Sequence, residues 1–310
     1  MEQEQEKKKR IWVKIVGWVL VAGVAFVAVV AIGIYRFSWQ GGVVNAMVSV
    51  APFPVAIVDY HFVTFADFNK RFEAYRKAVE FNQEFDFTDP ANNEVVVAQK
   101  QALLDRMVEL ELIEQIAKDS GIIVTEDDVN NQLEMLARQT GVEIEEFDTI
   151  LLNVYGLGKN EFISQVVRPS LYESKLQLMV SSDRQLNLDA FSKAEDLLGK
   201  LKSGESFSSL AKEFSDDLSN SEIGGDLGWA PQGFFVKEFN DAIFSMEQGE
   251  VSGIVSTQFG LHIIELLEQT KDEEGTVLAH SRHILVNTRD FYDWLDGEKE
   301  KVSVWKFPVQ

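Results

Sequence analysis

The strongest feature of the hydropathy pattern is an almost unbroken apolar run from Ile11 to Tyr35, in which Lys14 is the charged exception. About 20 apolar residues cross the roughly 30 Å hydrocarbon core of a bilayer, whereas a cleavable signal peptide has an apolar stretch of roughly 7–15 residues. A basic cluster, Lys7 to Arg10, precedes the run. We therefore predict an uncleaved transmembrane helix over residues 11–36, with residues 1–10 forming a cytoplasmic tail.

The alternative interpretation of this run is a signal peptide cleaved near Ala25 or Ala31. Under either interpretation, the bulk of the chain is extracytoplasmic. With the anchor retained, the protein is a single-pass protein of the cell membrane, and the membrane is a partner through the N-terminal helix.

Beyond a Gly- and Pro-containing linker over residues 37–54, the pattern becomes that of a folded domain over residues 55–182. Val55–Val63 favours a short strand or hairpin. The helices that follow are predicted from apolar spacings of three, four and seven and from capping signals at Thr64 and Thr125. The predicted helices run to about Glu80, through Val97–Ile116, from Thr125 through Leu136, over Phe147–Tyr155 and over Phe162–Val180. This domain is therefore predicted to be mostly α-helical.

Charge and cysteine content exclude several classes of function. The formal net charge is −21 at pH 7, and the chain has no cysteine. Nucleic-acid binding needs a basic surface that neutralises phosphates, so nucleic acid is not expected as a partner. Thiol catalysis, disulfides and thiolate zinc sites are excluded.

Several uncommon sequence words follow Leu188 in close succession. They are the stretches Phe214-Ser215-Asp216-Asp217, Gly224-Gly225-Asp226-Leu227-Gly228-Trp229, Gly249-Glu250-Val251-Ser252 and Phe259-Gly260-Leu261-His262-Ile263-Ile264. Their order and separations closely resemble those of the parvulin-type (PpiC-like) rotamase family over about 80 residues. The resemblance implies an α+β domain over residues 183–310, with an antiparallel sheet and surrounding helices. It also implies peptidyl-prolyl cis/trans isomerase activity without a cofactor.

The resemblance also assigns site residues. Asp217, Thr257 and His262 correspond to the polar floor of a parvulin site. The apolar cup for the proline ring corresponds to Leu227, Phe235 and Phe239, with Phe259 on its rim. Many relatives carry Met where Phe235 stands, so a smaller or flatter cup is expected. Taken singly, each aromatic is also consistent with ordinary core.

One expected word is out of place. Parvulins usually begin with a strand x-H-I-L-V whose histidine lies beside the later one, but here the strand position before Leu188 holds Gln177. The word occurs instead within residues 279–286, with His283. We predict a circular permutation in which a hairpin with its turn at Gln269–Thr276 adds this strand to the sheet and sets His283 opposite His262.

Two alternatives to the permutation remain open. Residues 280–286 could start a second, truncated rotamase domain, or they could form an unrelated edge strand. His280, His283 and His262 could also suggest a metal site, but residues three apart on a strand point to opposite faces. No metal is therefore expected.

The N-terminal domain resembles the chaperone domain of SurA-like and PrsA-like foldases. The similarity rests on a short strand followed by helices, and on the helix start Ile122-Ile123-Val124-Thr125-Glu126-Asp127-Asp128-Val129. The function this implies is a foldase whose partners are unfolded or partly folded exported polypeptides with X-Pro bonds. A non-catalytic chaperone or assembly scaffold is the alternative, and a membrane protein that tethers a partner is a weaker one.

Overall fold

The computed structural model describes Gly33 and residues 53–81, 85–142 and 144–308. They fall into two compact units, one with the residues up to Glu109 together with those from Ser303 onward, and one of Leu110–Val302. The predicted tail, transmembrane segment and linker lie outside the described residues, apart from Gly33 and the last residues of the linker. Among the described helices, none is long and apolar enough to cross a membrane.

The helices are α1 Phe65–Phe81, α2 Asn93–Asp119, α3 Glu126–Thr140, α4 Phe147–Val154, α5 Lys159–Phe162, α6 Arg168–Ser182, α7 Leu188–Lys202, α8 Phe207–Phe214, α9 Lys237–Ser245 and α10 Phe291–Lys299. The strands are β1 Pro54–Val58, β2 His61–Thr64, β3 Asp226–Pro231, β4 Val255–Thr257, β5 Gly260–Lys271, β6 Val277–Val286 and β7 Val304–Lys306. A π-helical turn, Ile163–Val167, joins α5 to α6.

The predicted helical character of the N-terminal region is confirmed, and local signals set its helix ends. Thr125 forms a capping box with Asp128 at the start of α3, and Gly141 ends that helix in the left-handed conformation. Thr64 caps α1 by accepting a hydrogen bond from the Asp67 amide at 3.1 Å. These contacts involve residues three or four apart, which is why the sequence revealed them.

The C-terminal tail, which the sequence prediction includes in residues 183–310, forms β7. This strand pairs antiparallel with β1 to give a sheet of order β2-β1-β7. Lys306 also forms an ion pair of 2.6 Å with Asp105 in the same unit. The unpaired edge of β1 supplies the hydrogen-bonding partners that the tail needs, and no short-range pattern encodes this pairing.

The two compact units also divide elsewhere than the predicted boundary at residue 182. Helix α6 lies in the same unit as the four-stranded sheet and packs on β4 and β5. At its end, the Ser181 hydroxyl donates to the Thr257 carbonyl oxygen at 2.5 Å.

The four-stranded sheet is antiparallel, with the order β3-β6-β5-β4, and it buries both faces. One face packs against α7 and α8 through Leu261, Ile263, Ile284 and Val286. The other face packs against α9 through Ile264, Leu266 and Ala279. The near-continuous apolar run of β5 follows from this two-sided burial.

Strand β6 occupies an interior position in this sheet, between β3 and β5. It is therefore neither an edge strand nor the start of a separate domain within the described chain. Gln177, the alternative occupant of the histidine position, lies within helix α6.

The register of β5 and β6 differs from the predicted one by two residues. His262 lies opposite Leu285, and His283 lies opposite Ile264, so the histidines are diagonal rather than direct neighbours. The strands also extend further, which shortens the turn to residues 272–276. Because side chains alternate with a period of two, a two-residue shift leaves both histidines on the same face, as predicted.

Candidate functional site

The centre of the candidate site is a pair of buried imidazoles on the α9 face of the sheet. His262 and His283 are each 5% exposed. Their Nδ1 atoms lie 3.0 Å apart, and the rings stack with centroids 5.2 Å apart and an interplanar angle of 19°. The diagonal position across β5 and β6 allows this contact between facing ring nitrogens.

Each imidazole has a second polar partner at its Nε2 atom. Thr257 Oγ1 lies 2.9 Å from Nε2 of His262, and Asp217 Oδ2 lies 2.9 Å from Nε2 of His283. The Phe259 amide donates to Thr257 Oγ1 at 3.0 Å. The structure therefore connects all four predicted polar residues in one row, Thr257–His262–His283–Asp217.

The direction of the hydrogen bonds in this row follows from the capacity of each group. A carboxylate only accepts, so Nε2 of His283 donates to Asp217, and its Nδ1 is then the acceptor of the neutral ring. His262 must donate through Nδ1, which leaves its Nε2 to accept from the Thr257 hydroxyl. Two neutral imidazoles thus satisfy every contact in the row.

The electrostatics agree with neutral imidazoles. Burial lowers the pKa of His262 to about 3, with a further lowering by His283 and an opposing effect of the Asp217 carboxylate. Burial also lowers the pKa of His283 from its ordinary value, although Asp217 opposes this. For Asp217, burial favours the neutral acid, but hydrogen bonds from Ser219, His283 and Asn220 outweigh burial and lower its pKa.

Asp217 is positioned by the segment that runs beside the end of β6. The Asp216 amide donates to the Leu285 carbonyl oxygen at 2.8 Å, and the Leu285 amide donates to Ser215 Oγ at 3.1 Å. Asp216 in turn forms an ion pair with Lys193 of α7 at 3.1 Å. This irregular pairing with β6 brings Asp217 to His283, although 66 residues separate them.

Gly225 fixes the other side of the same strand. Its carbonyl oxygen accepts from the His283 amide at 2.9 Å. Its φ is +81°, and a Cβ atom at this position would lie 2.0 Å from the His283 carbonyl oxygen. Only glycine fits this close approach, which gives the Gly-Gly word a physical reason.

One residue of the predicted aromatic cup, Phe239, packs directly against the imidazoles. The Phe239 ring meets His262 edge-on, with centroids 5.3 Å apart and an angle of 84°, and lies 5.9 Å from His283. Phe235 lies 4.9 Å from Phe239, and Leu227 packs in the same cluster. Phe259 is 59% exposed, consistent with a rim position. The structure therefore brings together all eight predicted site residues.

Two contacts of this site were not predicted. Ser219 donates to Asp217 Oδ1 at 2.6 Å, and Asn220 Nδ2 donates to Asp217 Oδ2 at 2.7 Å. Small polar residues in a turn after an aspartate are common, so their spacing alone did not distinguish them from ordinary turn residues.

His280 takes no part in the site. It lies on the opposite face of β6 and contacts Asp226 Oδ1 at 2.8 Å, as the alternation of strand side chains requires. Asp226 Oδ1 also accepts from the Gly228 amide at 2.8 Å, which stabilises the turn at the start of β3. Among the described residues, no group of three or more His, Asp or Glu side chains is placed to hold a metal ion.

The sequence matches two family models that agree with this architecture. Residues 1–177 match the SurA-like N-terminal domain, and residues 168–270 match the PPIC-type PPIASE domain. The domain that carries the buried polar row therefore belongs to the rotamase class.

Curated relatives lead to the same family. The Foldase protein PrsA of Caldanaerobacter subterraneus subsp. tengcongensis is 31% identical over 68% of this chain and 72% of its own length. The Chaperone SurA of Nitrosospira multiformis is 26% identical over 66% of this chain and 55% of its own length. The crystal structure of PrsA from Bacillus anthracis matches at 20% identity, over 64% of this chain and 86% of that chain, with a TM-score of 0.23, which is too low for a structural argument.

This chain belongs to the family of PrsA-like and SurA-like foldases, and it contains a parvulin-type peptidyl-prolyl isomerase domain.

The depressed pKa of His262 predicts acid sensitivity of the fold. The folded protein keeps this ring neutral down to about 3, whereas the unfolded chain protonates it below its ordinary value of 6.5. Stability should therefore fall as the pH drops below that ordinary value, by about 1.4 kcal/mol per pH unit for this ring. Urea unfolding at about pH 7.5 and about pH 5 measures a loss of about 2 kcal/mol from this ring.

A His262→Gln variant should lose this part of the acid dependence, while His61→Gln, at an exposed position in the first unit, should keep it. Equal pH dependence in the wild type and the His262→Gln variant would contradict the neutral pair.

Proposed function

We propose that this protein is a membrane-anchored, extracytoplasmic foldase that catalyses X-Pro isomerisation in exported polypeptides and holds them while they fold. The observation that carries the proposal is the row Thr257–His262–His283–Asp217 beneath the ring of Phe239.

The site suits a reaction in which no covalent bond breaks. The barrier to rotation of the X-Pro bond is about 18–20 kcal/mol and arises from amide resonance. The cup formed by Leu227, Phe235 and Phe239 can seat the proline ring and hold the twisted amide, which has lost resonance and polarity, away from water. The buried polar row then serves as a neutral, rigid floor.

Within this mechanism, each polar residue has a separate role. His262 and His283 support the floor of the cup, since Phe239 packs edge-on against both rings. Asp217 and Thr257 hold the outer Nε2 atoms and so fix the ring orientations. Phe259, at the rim, contacts the substrate chain.

The position of β6 supports the predicted circular permutation. The PPIC-type match ends at residue 270, before the strand begins at Val277. Yet β6 lies in the interior of the sheet and carries His283 into the row. In this interpretation, β6 is the family's first strand, moved behind the last one and joined to it by the hairpin.

The chaperone part of the proposal is supported by an apolar row across the first unit. Phe62 and Trp305 each lie opposite Ile57 on neighbouring strands, so the three side chains share one face of the sheet. Phe62 is 52% exposed and Trp305 is 69% exposed. Exposed aromatic side chains in one row offer a contact for extended apolar segments of a client.

Catalysis is tested with the purified full-length protein by NMR exchange on a short X-Pro peptide. The wild type should accelerate exchange, and Phe239→Ala and His283→Ala should each lower kcat/KM by about tenfold or more, because they empty the cup or break the row. His61→Ala, at an exposed position, serves as the control. A folded wild type without any acceleration would instead favour the non-catalytic chaperone.

Client binding is tested by aggregation of an unfolded protein, with light scattering as the readout. Phe62→Ser and Trp305→Ser together should weaken suppression of aggregation, because they remove the apolar row. Leu152→Ser, a similarly exposed residue on α4, should have little effect. Failure of the wild-type protein to bind clients at all would point to the tethering role.

The anchor is tested by alkaline extraction of membranes from cells that express the protein. The apolar run over residues 11–36 should keep the protein in the membrane pellet, since about 20 apolar residues are enough to span the bilayer. Release of the protein into the supernatant, or removal of the first residues in the mature chain, would support a cleaved signal peptide.

A further inference from the structure

We propose that Asn220 is a positioning residue that keeps the His262–His283 pair neutral and fixes its tautomers. The proposed effect on catalysis rests on the isomerase function above, whereas the effect on the histidines does not. Asn220 lies in the turn after Asp217, and its side chain is 6% exposed.

The amide of Asn220 touches both members of the acid–imidazole contact. Its Nδ2 atom donates to Asp217 Oδ2 at 2.7 Å and lies 3.2 Å from His283 Nε2, which donates to the same oxygen. The short contact to a carboxylate oxygen fixes the orientation of the amide, because a reversed amide would place two oxygens against each other. Asn220 therefore presents a donor to the same oxygen that accepts from His283.

The backbone holds Asn220 in this place. Its carbonyl oxygen accepts hydrogen bonds from the amides of Ile223 and Gly225, both at 3.0 Å. Gly225 is the residue whose carbonyl oxygen accepts from the His283 amide. The turn that carries Asn220 is therefore linked through Gly225 to the backbone of His283. This link restricts the position of the Asn220 side chain.

The other end of the amide argues for a role beyond turn formation. Asn220 Oδ1 is buried and has no hydrogen-bond partner among the described residues. An unsatisfied buried polar group destabilises the fold, so a smaller residue would serve the turn at lower cost. A neutral donor directed at Asp217 is what the amide adds in return.

The chemistry that the amide provides is charge control. The Asn220 amide donates one hydrogen bond to the Asp217 carboxylate, and it adds no charge beside His283. The charged and titratable groups that act on the pair are Asp217 and the two imidazoles themselves, while Thr257 from β4 and Phe239 from α9 are uncharged. The row is therefore sensitive to one added charge at Asn220.

An Asn220→Asp substitution changes this balance with almost no change in shape. Two ionised carboxylates at hydrogen-bonding distance repel each other, which favours the uptake of a proton at the site. We expect this proton on the imidazole, because an imidazole has a higher ordinary pKa than a carboxylic acid. His283 then takes up the proton. A protonated His283 donates through Nδ1, so His262 must accept there and donate through Nε2, which reverses the row.

The experiment is ¹⁵N NMR of the full-length protein labelled at histidine, which gives signals from only four residues. In the wild type at neutral pH, we expect each imidazole of the pair to carry one proton, at Nε2 of His283 and at Nδ1 of His262. In the Asn220→Asp variant, we expect His283 to be protonated at both nitrogens, with its titration midpoint raised by about one to three pH units.

Two further variants separate charge from structure. Asn220→Ala removes a donor from Asp217 without adding charge, so the carboxylate depends more on His283, and the titration midpoint of His283 should rise by less than in the Asn220→Asp variant. Asn240→Asp adds a charge at another buried asparagine, whose Oδ1 accepts from the Gly233 amide, and should leave the pair neutral. Unchanged histidine signals in the Asn220→Asp variant, or the same proton uptake in the Asn240→Asp variant, would overturn the proposal.

Isomerase activity is measured on the same samples. Asn220→Asp should lower kcat/KM by about tenfold in step with the protonated fraction of the pair. An inactive wild type whose histidines respond as described would refute the isomerase function but leave the role of Asn220 intact.

Discussion

The central interaction of the second unit is the contact between Nδ1 of His262 and Nδ1 of His283, which depends on the pairing of β5 with β6. At a distance of 3.0 Å, one of the two facing ring nitrogens must donate and the other must accept. At most one of the two imidazoles can therefore carry a positive charge. Burial makes the neutral form the stable one. Thr257 and Asp217 are then constrained to satisfy the outer nitrogens.

The sheet holds the two histidines in this contact. Strand β6 must lie next to β5, and its register must place both histidines on the α9 face. Close approach of Gly225 holds β6 from one side, while Ser215 and Asp216 pair with its end at Leu285. Phe239 is positioned by the same sheet face, because it packs on the two imidazoles and in the cluster of Ile264, Leu266 and Ala279.

The chain that follows β6 leads back to the first unit. The strand that carries His283 follows the rest of the sheet and leads through α10 to β7, which pairs with β1 of the first unit. The strand that carries His283 and the strand that completes the first sheet are therefore close in sequence.

The sequence by itself determined the features that depend on neighbouring residues. The capping box of Thr125, the helical periodicity and the Gly-Gly word are local, because each reports the backbone conformation of a few consecutive positions. The resemblance to the family predicted eight site residues, and the parity of strand side chains was enough to place both histidines on one face.

Only the tertiary structure decided which partners those residues have. A register shifted by two residues changes the partner of every side chain in β6 but not its face, so the pattern could not distinguish the two registers. Asn220 and β7 carried no signal, since their roles come from contacts with His283 and β1 at distant positions in the chain. The free energies of such pairings depend on the assembled surroundings, which no local stretch of sequence contains.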